Sequence, residues 1–343
     1  MKQRVRSLLA GGLLALALFG VAAAGPLEDG VSAYQRDDYA TAMRLLRPLA
    51  DQGNADAQFK LGVMYHNGSG VPQDYAQAVM WYRKAADQGN ASAQTNLGWM
   101  CDHGQGVPQD GTQAVMWYRK AADQGFPHAQ ENLGVMYRNG QRVPQDYAQA
   151  AMWFRKAADQ GFDDAQADLG FMYHNGWGVP QDYALEAMWL RKAADQGHVL
   201  AQINLGLSYE RGEGVPQDYA LAVTWYRKAA DQGLSPAQDN LGAMYADGKG
   251  VPQDYALAVT WYRKAADQGV EDAQLHLGLM YADGKGVSQD YTLAHVWFNL
   301  AASRASDPAF REMAAKNRDL VAAKMTPAQI AEAQRMAREW APK

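Results

Sequence analysis

From Asn54 to Asn67 the apolar side chains of Ala57, Leu61, Met64 and Tyr65 fall at i, i+4, i+7 and i+8, which is one stripe of an α-helix. Gly68 ends the pattern in the manner of a left-handed C-cap. Pro72 prevents its resumption, because proline lacks an N–H and pushes Val71 out of the α region. Asp74 is placed to cap a second helix, whose stripe of Tyr75, Ala78, Val79, Trp81, Tyr82, Ala85 and Ala86 is too wide for one partner. Gly89 closes it, and Asn90 stands ready to cap the next. Two short helices cannot bury this much apolar surface alone, so the pattern predicts helix pairs stacked on neighbouring pairs.

The pattern recurs every 36 residues. Leu61-Gly62, Leu97-Gly98, Leu133-Gly134 and their equivalents as far as Leu277-Gly278 keep this step, as do Trp81, Trp117, Trp153, Trp189, Trp225, Trp261 and Trp297. VPQD recurs from Val71 to Val251, and Ser288 replaces the proline in the last copy. Seven full units span residues 54–305. Residues 25–53 read as an N-terminal capping hairpin that matches the second helix from Asp38 onward, with Leu45 in the tryptophan place. At the other end Asn299 and Leu300 replace the usual Arg-Lys pair, which makes the last outer face more apolar. Residues 306–343 supply two helices to cover it, one opened by Asp307-Pro308 and one by Thr326-Pro327.

The motif AQ..LG.MY..G.GVPQDY..A..WYRKAADQG resembles the Sel-one-like repeat (SLR), a relative of the tetratricopeptide repeat, over nearly three quarters of the chain. The resemblance implies an all-α fold: a right-handed α-solenoid of antiparallel helix pairs, with a concave face lined by the first helix of each pair. SLR relatives often hold other proteins. The cysteine-rich secreted relatives linked to β-lactam binding or hydrolysis carry a cysteine pair in each repeat, which this chain lacks.

Composition narrows the function classes. The 343 residues are 48% hydrophobic with a net charge of −5 and no basic stretch, which argues against nucleic acid or an anionic membrane as the main partner. Lys2, Arg4 and Arg6 precede an apolar run ending in Ala22-Ala23-Ala24, so residues 1–24 read as an export signal. Cleavage would leave no integral membrane segment and a periplasmic or secreted chain, with a monomer as the expected state. A single cysteine makes no internal disulfide, so packing must supply the stability.

Seven tryptophans at one repeat position are read as core, together with Leu61, Gly62, Leu97, Gly98 and Leu133. The Arg-Lys pairs from Arg83-Lys84 to Arg263-Lys264 form two rows expected to pair with Asp87 and its equivalents on the solvated face. No histidine spacing suits a metal, no cofactor motif is present, and no catalytic constellation stands out. On the first helix, repeat positions 3, 7, 10 and 14 point away from the apolar stripe. They offer groove candidates in Asn96, Trp99, His103, Asn132, Asn139, Asp168, Phe171, Asn175, Asn204 and Asn240. Asparagine amides beside apolar side chains suit the backbone of an extended peptide. The expectation is therefore a non-enzymatic scaffold that binds a protein or peptide of the cell envelope, with an enzyme acting on a cell-wall fragment or a β-lactam-like ligand as the alternative.

One unit departs from the pattern. In NLGWMCDHGQGVPQDG, Cys101 and Gly111 stand where the other copies carry tyrosine, which predicts a cavity or a loosened corner beside Trp99.

Overall fold

The computed structural model describes residues 25–342, and the expected export signal at 1–24 lies outside them. Among the described residues there are eighteen α-helices and no strands. They are α1 (Pro26–Gln35), α2 (Tyr39–Asp51), α3 (Ala55–Asn67), α4 (Tyr75–Asp87), α5 (Ala91–His103), α6 (Gly111–Asp123), α7 (Pro127–Asn139), α8 (Tyr147–Asp159) and α9 (Asp163–Asn175). There follow α10 (Tyr183–Asp195), α11 (Val199–Arg211), α12 (Tyr219–Asp231), α13 (Ser235–Asp247), α14 (Tyr255–Asp267), α15 (Glu271–Asp283), α16 (Tyr291–Arg304), α17 (Pro308–Ala322) and α18 (Pro327–Glu339). The chain forms two compact units, one ending at Asp110 and one beginning at Gly111. In the first, α1 packs on α2 and α3 on α4, with α5 against α4. In the second, each helix from α6 to α16 packs on the next, and both α17 and α18 cover α16.

Caps set the helix boundaries. Asp74, Asp146, Asp218 and Asp254 each accept a hydrogen bond from the backbone N–H three residues on, at the start of the second helix of their repeat. The first helices end at Gly68, Gly104, Gly140, Gly176, Gly212, Gly248 and Gly284, all left-handed, where a side chain would be strained. Asp307 caps α17, and Thr326 with Gln329 forms a capping box on α18.

Glutamines bind repeat to repeat. The side-chain amide of Gln58 donates to the carbonyl of Ala50 in the preceding helix, and Gln130, Gln166, Gln202, Gln238 and Gln274 repeat the bond 8 residues back. Gln88 in turn donates to the Gln58 side chain, as Gln160 does to Gln130 and Gln196 to Gln166. The bonds from Gln58 and its equivalents are buried and satisfy carbonyls at the helix ends, and each is worth about 1 kcal/mol.

Contact between the helices of a pair depends on the glycine of each Leu-Gly. A β-carbon on Gly62, Gly134, Gly206, Gly242 or Gly278 would overlap the ring of Tyr82, Phe154, Tyr226, Tyr262 or Phe298 on the partner helix. At Gly170 the facing residue is Leu190 and the approach is looser, at 3.2 Å.

Candidate functional site

The second helices present their aromatic and basic residues to one another. Trp81, Trp153, Trp189 and Trp225 are buried, as are Trp117 and Trp297, while Trp261 is half-buried. Except at Trp297, which Leu300 follows, the ammonium of the lysine three residues on lies over each ring, at 4.3 Å for Lys84 on Trp81 and 3.9 Å for Lys228 on Trp225. The arginine of each pair reaches forward 18 residues to a tyrosine hydroxyl: Arg119 to Tyr137, Arg155 to Tyr173, Arg191 to Tyr209, Arg227 to Tyr245 and Arg263 to Tyr281. The basic rows are thus held by indole and phenol groups. Among the described residues no ion pair joins Lys84 to Asp87 or Lys156 to Asp159, in place of the pairing that the spacing predicts.

Cys101 is 3% exposed, and burial pushes its thiol up against the opposing pull of Arg83, which has cysteine where the other arginines meet tyrosine. At Gly111 an added β-carbon would overlap the side chain of Arg142. Elsewhere this contact is reversed. Gly178, Gly214, Gly250 and Gly286 lie against the backbone of Tyr147, Tyr183, Tyr219 and Tyr255. Arg142 takes the place of that loop glycine and keeps its left-handed conformation, with φ of 64°. The lost tyrosine and the gained arginine compensate each other, so the departure read from the sequence is half of a reciprocal exchange.

The first helices carry the groove candidates. Asn96 bonds the hydroxyl of Tyr82, which burial raises strongly. Trp99 is half-buried, stacks on His103 at 4.2 Å and meets the edge of His66 at 5.9 Å. His66, Tyr82, Asn96, Trp99 and Met100 line a cavity of about 120 Å³. Asn139 accepts from Arg138, Asn175 donates to the carbonyl of Phe171, and Asp168 pairs with Arg138. Asn132, Asn204 and Asn240 are half-buried on α7, α11 and α13, and their side-chain amides make no hydrogen bond among the described residues.

Two features of this face are not in the set derived from repeat positions. The first is carboxylate density. Helices α7, α9, α11, α13 and α15 hold ten acidic residues against two basic ones. Glu131 is half-buried, and burial, reinforced by Asp164 and Asp168, pushes its carboxyl up to about 7. Burial likewise raises Asp168 against the pull of Arg138, and Asp164 lies 3.2 Å from His198. Further along, burial opposes a charge on His276, but Asp239 at 2.9 Å overcomes it and the imidazole is raised. The second feature is Trp177, in the loop after α9, stacked on Tyr147 at 5.0 Å and edge-on to Phe171 at 5.3 Å. The other copies carry Ser69, Gln105, Gln141, Glu213, Lys249 and Lys285 there, so a tryptophan outside the 36-residue register was the available signal. Among the described residues no group of three or more histidine, cysteine, aspartate or glutamate side chains is arranged to hold a metal. No helix among them is long and apolar enough to cross a membrane.

Repeated helix pairs that share one polar clamp and one aromatic stack define a tandem-repeat α-solenoid protein. The family model for the Sel1 repeat matches residues 15–54, 55–90, 91–126, 127–162, 163–198, 199–234, 235–270 and 271–306, and the chain belongs to that family. The repeat is a scaffold typical of protein-binding adaptors, and its proteins are generally non-catalytic. Among solved structures, a Sel1 repeat protein from Oxalobacter formigenes is 38% identical, with 84% of this chain and 86% of that chain covered and a TM-score of 0.64. A protective antigen of uropathogenic Escherichia coli with an SLR fold is 32% identical, with 92% and 91% covered and a TM-score of 0.56. No curated protein matches the chain.

Proposed function

We propose that this protein is an exported, non-catalytic scaffold of the cell envelope that holds an extended segment of a partner protein along its first helices. The observation that carries the reading is the row of free amides at Asn132, Asn204 and Asn240. Each is half-buried at one repeat position, and each offers a donor and an acceptor that the fold leaves unused. A backbone laid across the row would bond to them in turn, as extended peptides do to other recognition surfaces. Lys2, Arg4 and Arg6 ahead of an apolar run support export.

The test is capture from envelope extract by the chain from Gly25 onward, beside a variant carrying Asn132→Trp and Asn204→Trp. A partner retained by the first and lost by the second supports the reading. Identical capture by both overturns it.

A further inference from the structure

Around α9 the first-helix face combines two features that packing does not require. Asp164, Asp168 and Phe171 follow one another at i, i+4 and i+7, so they share one face of the helix. Phe171 is 45% exposed, one of the most open large apolar side chains in the protein. Its ring stands at 84° to Trp177, whose other ring contact is the stacked Tyr147. Glu131, from α7, adds a third carboxylate beside Asp164 and Asp168. Arg138 pairs with Asp168 and His198 with Asp164, so the four carboxylates of Glu131, Asp163, Asp164 and Asp168 outnumber the two basic groups that face them. Carboxylates next to an aromatic corner attract a cation twice, through charge and through the ring quadrupole. The aromatic corner does not recur elsewhere in the array, because the equivalents of Phe171 are Val63, Trp99, Val135, Leu207, Ala243 and Leu279 and none has a tryptophan following in its loop.

We infer that this corner takes a lysine or arginine side chain of the bound segment, so the partner of the first-helix face is a cationic extended peptide. The inference rests on the peptide-binding reading and names the chemistry of that partner. The excess of acidic over basic residues on α9, α13 and α15 extends the same complementarity along the bound segment.

The test uses the full chain and three labelled peptides of equal length and equal leucine spacing, one with lysine, one with glutamine and one with glutamate between the leucines. The lysine peptide is expected to bind tightest, with an affinity that falls as salt rises. Trp177→Ser, which installs the residue of the first repeat, is expected to weaken it about tenfold in a chain that circular dichroism shows to be folded at the assay temperature. Equal affinity for all three peptides, no binding of the lysine peptide, or full binding by Trp177→Ser each overturns the inference. Lysine amide alone binding as tightly as the peptide overturns it too, since the site would then be one for a free small cation. Equal affinities that are all lost in the Asn132→Trp, Asn204→Trp variant would remove the cation site and keep the groove. Lysine-peptide binding that survives in that variant would keep the cation site and remove the amide row.

Discussion

The side chain of Arg142 occupies the space over Gly111 that a tyrosine would need, and in the neighbouring repeats a glycine and a tyrosine meet with the roles reversed. The exchange makes a double-mutant prediction. Gly111→Tyr alone should destabilise the chain by about 1–3 kcal/mol through overpacking against Arg142. Arg142→Gly alone removes a left-handed non-glycine residue, a gain of about 1 kcal/mol, but uncovers Gly111. The double variant restores the arrangement of the other repeats and should be at least as stable as the parent. Denaturant unfolding of the four proteins checks this, and additive effects would show that the two positions do not interact.

The Leu-Gly glycines should differ in tolerance. Gly134→Ala places a methyl in the ring of Phe154 and is expected to cost about 1–3 kcal/mol. Gly170→Ala meets Leu190 at 3.2 Å and the Glu186 carbonyl at 3.4 Å without overlapping a ring, and the better helix propensity of alanine, about 1 kcal/mol, should offset the squeeze. Thermal melts that rank the two in the opposite order would contradict this packing.

Cys101 should be slow to label. It is buried and its thiol is raised, so little thiolate forms near neutral pH. Iodoacetamide should modify the native chain far more slowly than the chain in denaturant. Equal rates would mean that the corner opens freely.

Glu131 should make stability depend on pH. It faces Asp163, Asp164 and Asp168 on α9 and Arg138 on its own helix, and His198 pairs with Asp164 across the same cluster. Its carboxyl titrates near 7 when folded and near 4.5 when unfolded. Between those values the folded chain holds a proton that the unfolded chain has lost. Stability therefore falls as pH rises through this window, and the loss is complete above about 7. Glu131→Gln should raise the melting temperature at pH 8 and flatten that slope. An unchanged slope would place the dependence elsewhere in the cluster.

The repeat length, the two helices of each unit, their caps and the buried tryptophans were legible because each repeats seven times in one register, and a side chain required that often is required by packing. A periodic pattern reports the average unit. It says less about exceptions, whose meaning depends on what lies one repeat away. Thus the missing tyrosine at Gly111 reads as a loss of packing, whereas the side chain of Arg142 lies over it. Lysines expected to pair with aspartates were drawn onto indole rings, because the neighbouring helix brings an aromatic surface that spacing along one helix cannot reveal. Glu131 and Trp177 fall outside the helix positions counted as groove-lining, and only the juxtaposition of α7 with α9, and of a loop with Phe171, gathers them into one corner. The sequence by itself determined the repeated unit, since periodicity encodes local structure and the core. The tertiary structure decided which exceptions meet, since contact between side chains 30 or more residues apart depends on how the repeats stack.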